Sequence, residues 1–248
     1  MKIEVSRVEL QNVLRLRDLY RQELNCQIVH DCLHERGRTA IYLIAVDGAV
    51  AGYGALAHGD PRDTVIEFYT LPIHHPSAHT LFRELLAVSQ AVKVQAQTND
   101  VLLHLMLHDF TRNVKSDTIL FADKLTTRHH LPDVIFRKAT EADADHIFRH
   151  THEPVGDWVL ETANTIVATG GVYFHYNRPY GDIFMEVAKP FRQRGYGSYL
   201  VQELKRVTYE LGSVPAARCN VANAASRNTL QKAGFMPCAR ILSGRVKL

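Results

Sequence analysis

One order of elements runs through the chain twice, and that repetition constrains the fold more than any other feature of the sequence. The first pass reads as a short strand at 3–5, a helix within 7–24, a hairpin of 40–46 and 49–56 turned at Asp47-Gly48, and a strand at 64–71. A helix over 80–92, a strand at 94–97, an apolar helix over 101–107 and a strand at 118–121 complete it. The order restarts with a strand at 134–137 and a capping box formed by Thr140 and Asp143. Strands at 158–161, 165–174 and 183–188 follow, then a helix over 198–211 closed by Gly212, a strand at 216–221, a helix over 226–233 and a final strand pair near Ile241. Laid over each other, the halves set Leu71-Pro72 on Lys189-Pro190 and Leu86 on Leu204, and, after a slip, Asp109-Phe110 on Gly234-Phe235. The expected architecture is a mixed α/β (α+β) fold of two related domains, each a mostly antiparallel twisted sheet flanked by helices. Their boundary is expected in the polar, proline-ended stretch Arg128-His129-His130-Leu131-Pro132, giving domains 1–130 and 131–248.

Composition narrows the function classes. With 29 Lys+Arg against 26 Asp+Glu the net charge is only +3, so no basic stripe is available for a nucleic-acid backbone. No apolar run approaches the roughly 18 residues of a membrane span, and the N-terminus has no apolar leader core. Four cysteines are too few for a disulfide framework in 248 residues. A cytoplasmic protein without membrane or nucleic-acid partners is expected. The 14 histidines raise the question of a metal, and Cys26, His30 and His34, with Cys32 nearby, would share one face if that stretch were helical. No second ligand pair follows at finger spacing, and no metal is expected.

The strongest chemical signal is Val187-Ala188-Lys189-Pro190-Phe191-Arg192-Gln193-Arg194-Gly195-Tyr196-Gly197-Ser198, a strand, a glycine-bearing loop and an amphipathic helix. Backbone N–H groups at a helix start form an anion site, two glycines allow close approach, and Arg192 and Arg194 add charge suited to phosphate oxygens. Alone such a loop is common. It is followed, after a strand, by Asn223-Ala224-Ala225-Ser226-Arg227-Asn228-Thr229-Leu230-Gln231-Lys232-Ala233-Gly234-Phe235. Together, in this order, the two stretches resemble the GNAT superfamily of acyl-CoA-dependent N-acyltransferases, over essentially all of 131–248.

The resemblance implies an acetyl-CoA co-substrate and no metal. Arg192, Gln193, Arg194, Gly195, Tyr196, Gly197 and Ser198 would hold the pyrophosphate, and the 183–188 strand would splay from 216–221 to admit the pantetheine arm. Asn223 and Ser226 would lie along that arm, and an N–H at Val187 or Ala188 would face the developing oxyanion. The tyrosine that many relatives use to protonate the thiolate is replaced by Leu230, with Tyr176, Tyr180, Tyr196 and Tyr199 as substitutes in the same half. For the base, Glu186 and Asp182 share one face of a strand by its two-residue period, and carboxylates in such a strand are expected to be paired or functional.

The matching turn of the first half reads His74-His75-Pro76-Ser77-Ala78-His79, without the glycines and with a proline that removes a donor. It resembles a copy that has lost its cofactor site, although Glu67 has the placement to line a substrate cleft. The expected function is transfer of an acetyl group from acetyl-CoA to a small-molecule or peptide amine, with a homodimer open. The competing function is a non-catalytic acyl-CoA sensor.

Overall fold

A computed structural model describes residues 1–23, 27–28, 30–58 and 63–247. The chain divides into two compact units, Met1–Thr118 with Ala239–Leu248, and Ile119–Cys238. The first holds β1 (Ile3–Val8), α1 (Leu14–Glu23), α2 (Asp31–Glu35), β2 (Thr39–Val46), β3 (Ala49–Ala57), β4 (Thr64–Thr70), α3 (Ala78–Ser89), β5 (Lys93–Gln97), α4 (Val101–Phe110) and the start of β6 (Thr111–Asp123). The second holds the end of β6, then β7 (Ile135–Lys138), β8 (Trp158–Thr162), β9 (Thr165–Tyr173), β10 (Tyr180–Val187), α5 (Tyr196–Glu210), β11 (Val214–Asn220), α6 (Ala224–Lys232) and the start of β12 (Phe235–Val246).

Within the first unit the strands run β1-β2-β3-β4-β5-β12, antiparallel except for β4 beside β5. Asp47 and Gly48 both take positive φ, the demand of a two-residue hairpin turn between β2 and β3. Within the second unit the order is β7-β8-β9-β10-β11-β6, again antiparallel up to one parallel pair, β10 beside β11. The mixed α/β fold with a mostly antiparallel sheet is the one expected from the sequence.

The division between units falls elsewhere than residues 128–132. Strand pairing is the reason. Ile241–Arg245 of β12 pair with Gln97–Lys93 of β5, so the last residues of the chain complete the first unit. Lys124 and Leu125 donate their N–H groups to the Gly234 carbonyl, and the buried Lys205 ammonium donates to Leu125 O, which ties the stretch before the expected boundary to the second unit.

In the first unit both sheet faces are buried. Phe68, Leu81, Phe82, Leu85, Leu103 and Leu107 form the core under α3 and α4. Val13, Leu16, Tyr20, Tyr53, Ile66 and Tyr69 form a second core under α1. The second unit keeps the core under α5 and α6, with Leu160, Ile183, Leu200, Leu204, Leu230 and Phe235. Between β7 and β8, where the first unit has α1 and α2 between β1 and β2, the described residues form a short 3-10 turn, Glu141–His146. The expected Thr140–Asp143 capping box is present there, reinforced by Arg137, but it starts this turn rather than a longer helix.

Candidate acyl-donor and acceptor site

β10 and β11 pair only at Tyr180↔Val214, Gly181↔Pro215 and Asp182↔Ala216. Both strands continue past that point, to Val187 and Asn220, so the sheet opens after Asp182. A cavity of about 120 Å³ occupies the opening, lined by Asp182 to Met185 of β10, Arg218 of β11, Val201 of α5, Ser226 and Leu230 of α6, and by Tyr173 and Glu153. Strand alternation sets which donors face it. Ala188 N–H is bonded to Val167 O on β9, so the N–H groups of Val187 and Met185, one and three residues back, point away from β9 toward the opening. Of the two expected oxyanion donors, the Ala188 N–H is taken by Val167 O and the Val187 N–H faces the opening.

At the far end of β10, a 3-10 turn at Lys189–Phe191 leads into the loop before α5. Gln193 and Gly195 both have positive φ, 63° and 87°. Such alternation turns successive N–H groups into a concavity that binds anions. Tyr196, Gly197 and Ser198 form the first turn of α5, whose N–H groups have no acceptor one turn earlier. Gly195 caps the helix without a side chain, as a phosphate approaching along the axis requires. Gly197 serves packing instead, since a Cβ there would meet Thr229 Cγ2 at 3.1 Å and Met185 Cε at 3.2 Å. Arg194 lies over the Phe191 ring, whereas Arg192 turns back, donating from Nε to Val187 O at 3.0 Å. Asn223 caps α6 by accepting from Ser226 N at 3.0 Å, which leaves its amide nitrogen free of that cap. These groups suit a CoA pyrophosphate and pantetheine arm: a donor-rich concavity at one end and an open strand edge beside it.

The two expected catalytic carboxylates have different surroundings. Glu186 is buried and accepts from the N–H groups of Thr151, His152 and Glu153 and from the Thr151 hydroxyl, with Arg192 at 3.4 Å. Burial alone would raise its pKa, but these bonds outweigh burial and hold it at about 2. A carboxylate so stabilised as an anion is a weak base at neutral pH. Its position fits holding the 151–153 backbone better than accepting a proton. Asp182 lines the cavity, with His175 Nε2 at 3.0 Å and Arg218 Nε at 3.6 Å from its Oδ2.

Of the tyrosines proposed as substitute acids, Tyr176 is buried behind Asp182 with Arg218 over its ring, and burial together with the Asp182 charge pushes its hydroxyl well above the ordinary range. Tyr196 packs edge-on against Phe191. Tyr173, stacked on Phe184, is the tyrosine among the cavity lining, and Leu230 lines the cavity where many relatives have theirs. Sequence reasoning missed Glu153, Arg218 and Tyr173. Only the two-residue period from Ala216 through Arg218 hinted at one of them.

In the first unit Glu67 is fully buried, bonded by Arg17 through Nε and Nη2, by the Tyr53 hydroxyl and by His34 Nε2. Burial opposes its charge, but these partners win and keep it ionised well below the usual carboxylate range. It is an internal anchor of its own unit rather than a cleft residue. His34 is committed to Thr39 and Glu67, and Cys26, the other end of the expected histidine–cysteine face, lies outside the described residues.

Residues 124–235 match the model of the Acetyltransferase (GNAT) family. No curated protein matches the chain. Among solved structures, a GNAT-family acetyltransferase from Colwellia psychrerythraea superposes with a TM-score of 0.77 at 15% identity, covering 98% of this chain and 100% of that one. A tandem GNAT protein from the clavulanic acid biosynthesis pathway gives 0.62 at 10% identity, covering 100% and 99%. A GCN5-related N-acetyltransferase from Sphaerobacter thermophilus gives 0.57 at 15%, covering 99% and 96%. The family match spans residues 124–235, less than half of the chain, and the solved structures share its fold; the general activity of that family is acetyl-CoA-dependent N-acetyl transfer. Among the described residues no helix is long and apolar enough to cross a membrane.

Proposed function

We propose that this protein is an N-acetyltransferase that moves an acetyl group from acetyl-CoA to a primary amine by direct attack, at a site carried by the second unit. The observation that carries the reading is the opening of β10 from β11 after Asp182↔Ala216, with an anion-binding loop at one end of β10 and carboxylates at the other. The diphosphate would lie against Gln193 to Ser198, and the pantetheine arm would run along the exposed edge of β10. The acetyl carbonyl would then sit near Met185 and Val187, whose N–H groups are placed to stabilise the oxyanion. The amine would enter on the face of β10 that carries Asp182, where a carboxylate can draw its proton before attack.

Leu230 in the tyrosine position favours a second reading, an acyl-CoA sensor without turnover. One assay separates the two. Acetyl-CoA is mixed with the protein and a panel of amino acids, polyamines, aminoglycosides and short peptides, and free thiol and acetylated product are measured. Amine-dependent thiol release with a matching mass increase of 42 Da, roughly the size of an added acetyl group, supports the enzyme. CoA binding with no release supports the sensor.

A further inference from the structure

The loop after the 3-10 turn of the second unit is fixed by side chains far away in sequence. Glu186 gathers the N–H groups of Thr151, His152 and Glu153. His150 bridges Glu153 O through Nδ1 and Thr169 Oγ1 through Nε2. Gly156 lies so close to β9 that a Cβ there would collide with the Gly170 backbone. With the backbone pinned on both sides of it, Glu153, a solvent-exposed residue, lines the same cavity as Asp182. Asp182 already has His175 and Arg218 against its Oδ2.

We propose that Glu153, held at the cavity by the Glu186 anchor, binds the acceptor's ammonium and takes its proton, while Glu186 acts as a positioning residue. This rests on the acetyltransferase reading above. In the step, R–NH3⁺ gives a proton to the Glu153 carboxylate, and the resulting R–NH2 forms a C–N bond to the thioester carbon. The C–S bond then breaks, one proton of the substituted nitrogen passes to the CoA thiolate, and Glu153 releases the proton it took to water, leaving an amide, the CoA thiol and a free carboxylate. The groups facing Glu153 are Asp182 and Glu186 on β10, Arg218 on β11 and His152 on its own loop. Burial first, then Asp182 and Glu186, push its carboxyl up, while Arg218 and His152 oppose them. The net direction is upward from the ordinary carboxylate value.

The test uses the full chain, acetyl-CoA and the amine panel. Expected are a fall in kcat/KM of about 100-fold or more in Glu153→Gln, the size of a lost general base, with partial recovery in Glu153→Asp and unchanged CoA affinity by calorimetry. In Glu186→Gln and Asp182→Asn, removing a neighbouring negative charge should move the acidic limb of the pH–rate profile to lower pH, which a purely structural role would not do. A Glu153→Gln rate within about twofold of wild type with the same acidic limb overturns the proposal. So does a chain that binds CoA yet acetylates and binds none of the amines. Failure to bind CoA at all would instead overturn the acetyltransferase reading beneath it.

Discussion

The segments Thr64–Ser89 and Tyr180–Glu210 follow the same plan, a strand with a short parallel partner, a 3-10 turn and a helix, yet they present opposite surroundings to a ligand. Beyond the parallel pair of the first unit the polar side chains are committed to one another. Glu67 is consumed by Arg17, Tyr53 and His34, Asp100 by Tyr20 and the Leu103 N–H, and Gln97 by both backbone groups of Ile28. At the end of the pair of the second unit Asp182 lines a cavity, together with Glu153. The turns differ in the same sense. Gln193 and Gly195 are left-handed, whereas Leu71–His79 has no positive φ and contains Pro76, which has no N–H to donate. A shared fold is thus compatible with a filled interior in one place and a ligand slot in the other, because the difference lies in a few residues after the strand.

The comparison breaks most visibly at the two turns. Gly195→Asp should weaken CoA binding at least about 100-fold, because a carboxylate would meet the diphosphate and a side chain would strain the positive φ. Ser77→Asp at the corresponding turn should leave CoA affinity within about twofold. Calorimetry on both variants checks this, and equal losses would remove the contrast.

Glu67→Gln sharpens the contrast from the other side. It removes the fully buried carboxylate of the Arg17 pair and leaves Arg17 only Asp31 at 2.9 Å, so unfolding stability should fall by about 3 kcal/mol, while the CoA affinity of the protein that remains folded stays unchanged. Denaturant melts with and without CoA separate the two effects.

The smallest effect belongs to Glu186→Gln, with a loss of about 1–3 kcal/mol at neutral pH. The folded pKa of Glu186, about 2, lies below its ordinary 4.5. The unfolded chain therefore takes up the proton first on acidification. The stabilisation is present above pH 4.5 and is lost as the pH falls through about 2, so the gap between wild type and variant should close over that window. A gap independent of pH would mean that Glu186 acts by packing rather than charge.

What was legible in the sequence is what is contiguous. The Val187 to Ser198 loop and the Asn223 to Phe235 stretch show their order and residue types without any tertiary knowledge, and strand alternation put Glu186 and Asp182 on one face. What was not legible depends on partners far along the chain. Glu186 looked like a base until Thr151 to Glu153, more than 30 residues earlier, were seen to occupy its oxygens. Glu153 carried no local signal, since its place is set by that pinning. The start of β6 was hidden because its polar residues point outward in alternation along Thr111–Asp117, and only pairing reveals it as a strand. The return of 239–248 to the first unit was hidden for the same reason, β5 being more than 140 residues from its antiparallel neighbour.

Titration calorimetry of CoA into the intact chain tests the central claim most directly, because it counts working sites among two units of one plan. The contrast between the turns predicts one CoA per chain, with all binding lost in Gly195→Asp. A stoichiometry near two, or binding that survives Gly195→Asp, would contradict it.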